Sequence, residues 1–205
     1  MKVERVSYDI ITPSAVRAVF ESILWKPAIR WQPERIEVLA PIRWTTIRRN
    51  EVGSKLSVAN VKSAMQRGAG AIALYVEEER QQRASLLLRD VRYRVTASFS
   101  MTGRAGAEEN TQKFAEMFLR RAQKGQCINQ PYLGCREFAC DFRLVEAGEE
   151  AATIPAELRV ERDLGWMLYD LDFSDASSPQ PRFFHAQMKD GVVKVPPRES
   201  EEVRG

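Results

Sequence analysis

Residues 91–124, VRYRVTASFSMTGRAGAEENTQKFAEMFLRRAQK, decide the fold class. In the first eleven, Val91, Tyr93, Val95, Ala97, Phe99 and Met101 alternate with polar neighbours, the period of a half-buried strand. Gly103 to Ala107 reads as a turn. Asn110 is placed to cap a helix, with Glu108 and Glu109 near its positive end. From 111 the spacing becomes helical, with Ala115, Phe118, Leu119 and Ala122 on one face. Lys113, Arg120 and Lys124 fall within ~20° of one another on the other face, with Arg121 at the flank. A strand followed by a basic amphipathic helix gives an α+β chain.

The next stretch, FLRRAQKGQCINQPYLGCREF (118–138), joins that helix to a Gly125 stop and a Pro-containing loop. A strand opening at 135–136 is expected to follow, alternating Phe138, Cys140, Phe142 and Leu144 to residue 145. Upstream, Thr12-Pro13 and the apolar spacing of SAVRAVFESIL predict a helix ended by Pro27. Residues 28–40 read as a strand bulged at Pro33, with 42–48 as its partner. Residues 50–70 read as a loop or protruding flap, AIALYV (71–76) as a short buried strand, and 147–163 as an acidic loop. WMLYDLDF (166–173) and a hairpin, FFHAQMKDGVVKV, turning at Asp190-Gly191, complete a β-rich end. Trp25, Trp31 and Trp44 are expected in the core or sheet.

At 205 residues, 44% apolar and 29% charged, the chain is long enough to bury a core. It carries no apolar run of membrane-spanning length and no secretory segment at MKVERVSYDI, so no membrane partner is expected. Three cysteines without CxxC spacing and one distant histidine argue against a zinc site and for a cytoplasmic location. Residues 1–79 hold 12 Lys/Arg and 9 Asp/Glu, residues 80–143 hold 12 and 6, and residues 144–205 hold 7 and 13. Regional balances of +3, +6 and −6 polarise the chain: its middle suits a polyanion and its end a basic partner.

Several stretches together resemble one family. MKVERVSYDIITPSA, ILWKP, RRNEV, ERQQRASLLLRDVRYRVTASFSMT, the 113–138 block and RDLGWMLYDLDF are similar to the CRISPR-associated Cas-five proteins of the type I-C (Dvulg) subtype. KDGVV is a weaker echo. The resemblance implies a ferredoxin-like, RNA-recognition-type domain over residues 1–146, with the flap at about 49–70. It further implies a C-terminal antiparallel β-subdomain, here over 147–195; the tail PPRESEEVRG (196–205) reads as disordered. It implies membership of Cascade beside its backbone and large subunits, binding of the CRISPR RNA repeat hairpin and 5′ handle, and endoribonuclease processing of the precursor transcript without metal or other cofactor.

Two departures accompany the resemblance. The family's match to MKVERVSYD follows a first strand that this sequence lacks. The functional protein is therefore expected to be longer, or residues 2–10 or a partner to fill the gap. The family's cleavage residues are a tyrosine in the ILWKP motif, where this chain has Leu24, and a lysine–histidine pair, where it has Lys113 and Phe114. Only the lysine is kept.

Cutting RNA without metal requires a base for the ribose 2′-OH, a cation for the developing charge and an acid for the leaving 5′-oxygen. Lys113, in the first turn of its helix, suits the charge. Tyr132, with packing or base stacking as its other reading, and His185, with a strand-surface reading, are the substitutes for acid and base; Tyr93 is a further tyrosine to examine. Arg48, Arg49, Arg80, Arg83, Arg120, Arg121, Lys124 and Arg136 are expected to hold RNA through phosphate forks and stacking. The alternatives are a non-catalytic RNA-binding subunit of the same complex, in which Leu24 and Phe114 mark lost chemistry, and sequence-independent binding of duplex DNA.

Overall fold

A computed structural model describes residues 5–70, 72–146 and 148–205. Its elements are β1 (Arg5–Val6), α1 (Pro13–Ile23), β2 (Ile29–Val38), β3 (Arg43–Val52), α2 (Val58–Arg67), β4 (Arg80–Arg89), β5 (Tyr93–Met101), α3 (Thr111–Gln123), β6 (Glu161–Asp172), β7 (Gln180–Lys189) and β8 (Val192–Lys194). The chain is α+β, and it divides into two compact units, Arg5–Ser7 with Arg43–Arg89, and Tyr8–Ile42 with Asp90–Gly205.

The larger unit is built on a five-stranded sheet in the order β5-β2-β8-β7-β6. Every pairing in it is antiparallel. β2 bulges between Pro33 and Arg35, where a proline has no N–H to give to the ladder. α1 opens on a Thr12 cap with Pro13 at its first position. It lays Val16 against Ile36, Val38, Met167, Phe184, Ala186, Met188 and Val193, the principal core. A second cluster joins Leu24, Ala28, Ile29, Trp31 and Phe114, with Phe20, Phe99 and Phe118 against it. Arg17 fixes α1 to β6 through a two-pronged contact with the buried Asp170, at 2.9 and 3.0 Å.

The smaller unit is a three-stranded sheet, β1-β4-β3, with α2 after β3. β3 and β4 pair in register over ten residues, Arg43↔Arg89 to Val52↔Arg80. β1 lies parallel to β4.

Several expectations are corrected here. The partner of β2 is β5, while 43–52 pairs with β4. The expected flap holds the end of β3 and α2, which Ser57 caps and Gly68 closes in the left-handed conformation that glycine permits. Residues 72–76 form no strand. The C-terminal strands hydrogen-bond into the main sheet beside β2, so no boundary falls at 146/147. The end of the chain is tied in, because Val203 is buried and Arg204 pairs with Phe183.

The 135–145 segment alternates like a strand but forms only turns and one bridge, Tyr132↔Ala139. β5 is the edge of its sheet, so no strand stands beside it for 135–145 to complete. Residues 5–6 pair with β4 and do not fill that place.

Burial pushes the Tyr93 phenol up to about 12, against the opposing pull of the Ile11 N–H. A raised folded-state value gives stability that is whole below pH ~10, the ordinary tyrosine value, and is lost as pH rises through about 12. Denaturant melts from pH 8 to 12 should therefore show a fall of about 2 kcal/mol above pH 10 that Tyr93→Phe reduces.

Candidate nucleic-acid interface

α3 brings the chemistry of the larger unit to the surface. Asn110 Oδ1 accepts from the Lys113 N–H at 2.9 Å, which starts the helix where the sequence places it. That bond also takes up the Lys113 N–H, so this donor is not open to a phosphate. Lys113, Arg120 and Lys124 have exposed side chains, and among the described residues none is held in an ion pair. Gly125, at φ 64, turns the chain back on the helix end, and the Gln126 N–H caps the Arg121 carbonyl at 2.9 Å.

The buried side of α3 differs from the expected one. Phe114 is 1% exposed and Ala122 4%, whereas Leu119 is 45% exposed. Leu24, at 0%, lies in the same apolar cluster as Phe114. The two positions where the resemblance implies a tyrosine and a histidine are therefore packed with Trp31 inside the core.

Arg121 is tied to the end of α1. Its guanidinium donates to the Ile23 carbonyl at 2.9 Å, at the end of α1. The Ser22 carbonyl accepts from the Ile128 N–H and the Leu24 carbonyl from the Trp31 indole, at 2.6 and 2.9 Å. These donors satisfy carbonyls that a helix end leaves without partners. They also draw the loop after α3 against the ILWKP stretch. That loop is closed by Pro131, Leu133, Phe138 and Cys140, leaving Tyr132 and Arg136 exposed. Of the three tryptophans expected in the core or sheet, Trp31 is buried on β2 and Trp44 stands on β3, while Trp25 is 57% exposed and outside both.

His185 does not join Lys113. On β7, Phe184, Ala186 and Met188 face the core with α1, so His185 faces the opposite side of the sheet. There it meets Asp163 at 3.2 Å and Trp166 edge-on, with the Arg204 guanidinium over that indole at 5.6 Å. α3 packs with α1 on the inner side, through Phe114 and Phe118 against Phe20, Trp31 and Phe99. The sheet separates the two side chains. Tyr93 is withdrawn as well: it packs against the principal core, and burial raises its phenol and so weakens it as a proton donor.

In the smaller unit, Arg48 and Arg80 are exposed on one face of the β3–β4 ladder. Arg49 and Arg83 stand directly opposite each other on the other face, beside Glu51. Glu51 accepts a two-pronged contact from Arg5 at 2.7 and 2.9 Å and lies 3.3 Å from Arg83. The sequence reading missed Arg5 and Glu51; only strand register brings them to Arg83. Among the described residues, no group of three His, Cys, Asp or Glu stands where it could hold a metal ion. No described helix is long and apolar enough to cross a membrane.

Known proteins match this architecture. The family model described as CRISPR-associated protein (Cas_Cas5), in its Cas5d form, matches residues 1–196. A Mannheimia succiniciproducens protein named CRISPR pre-crRNA endoribonuclease Cas5d is 49% identical over 206 residues, spanning 100% of this chain and 91% of its own. One of the same name from Thermus thermophilus is 38% identical over 219 residues, spanning 98% and 86%. Two solved structures share the fold. A CRISPR-associated protein has a TM-score of 0.67 at 18% identity, covering 98% of this chain and 88% of its own. A functionally uncharacterized protein from Streptococcus mutans has a TM-score of 0.64 at 21%, covering 97% and 87%. The class is thus that of the CRISPR-associated α+β proteins. Within it, the chain belongs to the Cas5 family, in the type I-C branch called Cas5d.

Neighbouring arginines on α3 should separate cleanly. Arg121→Ala, which strips a donor from the Ile23 carbonyl, should cost about 1–3 kcal/mol in a urea melt. Arg120→Ala should stay within about 0.5 kcal/mol of wild type, as exposed substitutions do.

Proposed function

We propose that this chain binds the repeat hairpin and 5′ handle of CRISPR RNA as a Cascade subunit, beside the backbone and large subunits. We propose further that it cuts the precursor transcript by a metal-independent route. The observation that carries this reading is the exposed row Lys113, Arg120 and Lys124, followed by Arg136 and Tyr132 in the adjoining loop. It stands on a chain 49% identical to a protein named for that activity.

In the proposed reaction the ribose 2′-OH attacks the adjacent phosphorus. Its proton passes to water, and the 5′-oxygen of the next nucleotide leaves with the Tyr132 proton, giving a 2′,3′-cyclic phosphate and a phenolate that solvent reprotonates. Lys113 supplies positive charge to the phosphoryl oxygens as the transition state forms. Tyr132 is the exposed hydroxyl of the adjoining loop and is assigned the proton for the leaving oxygen. Arg120, Lys124 and Arg136 hold the flanking phosphates, and alignment of the 2′-OH with the scissile bond contributes rate by itself.

The burial of Leu24 and Phe114 favours a second reading, an RNA-binding subunit without cleavage. Neither side chain can move a proton, and neither reaches the surface. The two readings divide on one assay, the cognate repeat hairpin incubated in EDTA. Under the first, the hairpin is cut at one site, and Lys113→Ala lowers the rate by about 10²–10³ while leaving the fold intact. Tight binding with no product establishes the second. Equal affinity for a scrambled hairpin and for duplex DNA defeats both and leaves sequence-independent nucleic-acid binding.

A further inference from the structure

The short loop from α1 to β2 exposes a tryptophan at a point where the chain is otherwise closed. Leu24 is fully buried, yet Trp25 beside it is 57% exposed. Among the described residues its ring meets no other aromatic ring and its indole N–H has no hydrogen-bond partner. A single exposed apolar side chain is ordinary on a protein surface. Trp25 differs in how firmly its backbone is held and in what it stands beside.

The loop is fixed on both sides of Trp25. Leu24 donates its N–H to the Phe20 carbonyl and accepts from the Trp31 indole, both at 2.9 Å. The Lys26 carbonyl accepts the Ile29 N–H at 3.2 Å. The Pro27 carbonyl accepts the Thr102 hydroxyl at 2.6 Å, and the Ala28 carbonyl the Thr102 N–H at 2.8 Å. A backbone already ordered in this way loses little further freedom when a ligand meets its side chain.

The same bonds set the course of the loop. Arg121, in the last turn of α3, reaches the Ile23 carbonyl. On the α3 wheel Arg121 stands ~80° from Lys113, between the cationic row and the buried Phe114 and Ala122. Thr102 heads the turn that leads into α3, and Ala105 of that turn packs in the cluster of Phe114. Ile23 is therefore fixed near the end of α3, and Pro27-Ala28 near its start. Lys113 and Arg121 are about 12 Å apart along the helix, and the residues from Ile23 to Pro27 span about 13 Å when extended. The loop thus follows the flank of α3 that borders Lys113, Arg120 and Lys124, with Trp25 at its middle. Lys26, half-buried and in no ion pair among the described residues, adds a cation to this flank.

We propose that Trp25 is a base-binding site: an unpaired nucleobase of the RNA stacks on its indole, which brings the adjoining phosphate to the cationic row of α3. Proteins hold RNA outside a duplex by stacking its bases on aromatic faces, and a neighbouring positive stripe tracks the backbone. The proposal deepens the RNA-binding reading above and rests on it.

The test uses the full chain with fluorescein-labelled repeat RNA and with an unstructured scrambled RNA of equal length, read by anisotropy. Trp25→Ala should weaken binding of repeat RNA about tenfold. It should leave the slope of log K against log salt at the wild-type value, because no phosphate contact is lost, whereas Lys113→Ala should flatten it by about 0.7. Trp25→Phe keeps an aromatic face and should stay within about threefold of wild type, while Trp25→Leu, equally apolar, should match Trp25→Ala. An abasic nucleotide moved through the unpaired positions beside the hairpin should, at one of them, weaken wild type about tenfold and leave Trp25→Ala unaffected. A folded Trp25→Ala with wild-type affinity, or Trp25→Leu binding as well as Trp25→Phe, overturns the proposal. If circular dichroism shows Trp25→Ala unfolded, the abasic series on wild type decides instead, and no position that weakens binding overturns it. Wild-type protein that does not prefer repeat RNA defeats the handle-binding reading. Stacking tolerates any sequence, so the effect of Trp25→Ala on the scrambled RNA still decides this one.

Discussion

The C-terminal end of α1 is the constraint on which the functional surface depends. A helix end leaves its last carbonyls without partners inside the helix, and here three successive ones are met from three directions. Ser22 receives the Ile128 N–H, Ile23 the Arg121 guanidinium and Leu24 the Trp31 indole. Those donors belong to the loop after α3, to α3 itself and to β2. One helix terminus therefore sets the distance between the ILWKP stretch, the basic helix and the loop carrying Tyr132 and Arg136.

The same arrangement explains why Leu24 and Phe114 are buried together. Leu24 follows the last residue of α1 and Phe114 lies in the first turn of α3, and both point into the cluster around Trp31. Apolar side chains there join two helices and the sheet by burial, about 25 cal/mol for each Å² removed from water. Polar groups in those places would need partners, because a buried polar group without one costs free energy.

Charge is distributed differently in the two units. On α3 Lys113, Arg120 and Lys124 stand in no ion pair among the described residues and face solvent, a surface that attracts a polyanion from a distance. On the three-stranded sheet Arg49 stands opposite Arg83, and Glu51 contacts Arg5 and Arg83.

Much of the fold was legible from local signals. The Thr12-Pro13 and Asn110 caps, the bulge at Pro33, the β5 alternation and the Asp190-Gly191 turn each follow from chemistry confined to a few residues. Gly191 is needed there twice over, for its φ of 73 and because a Cβ would come within 2.5 Å of Ile154. Lys113, Arg120 and Lys124 were also readable, since helical spacing alone puts them on one side. Long-range pairing was not. Residues 135–145 carry a strand's alternation, yet a strand exists only beside another strand, and β5 is an edge. Arg121 looked like its neighbour Arg120 until the Ile23 carbonyl, 98 positions away, claimed it. His185 fell on the far side of the sheet from α3, and Arg5 and Glu51 met Arg83 only through the register of three strands. The sequence by itself determined the elements, their caps and the exposed cations of α3, because those depend on neighbours along the chain. The tertiary structure decided which arginines face solvent and which face a carbonyl, because that depends on what the rest of the chain brings within about 3 Å.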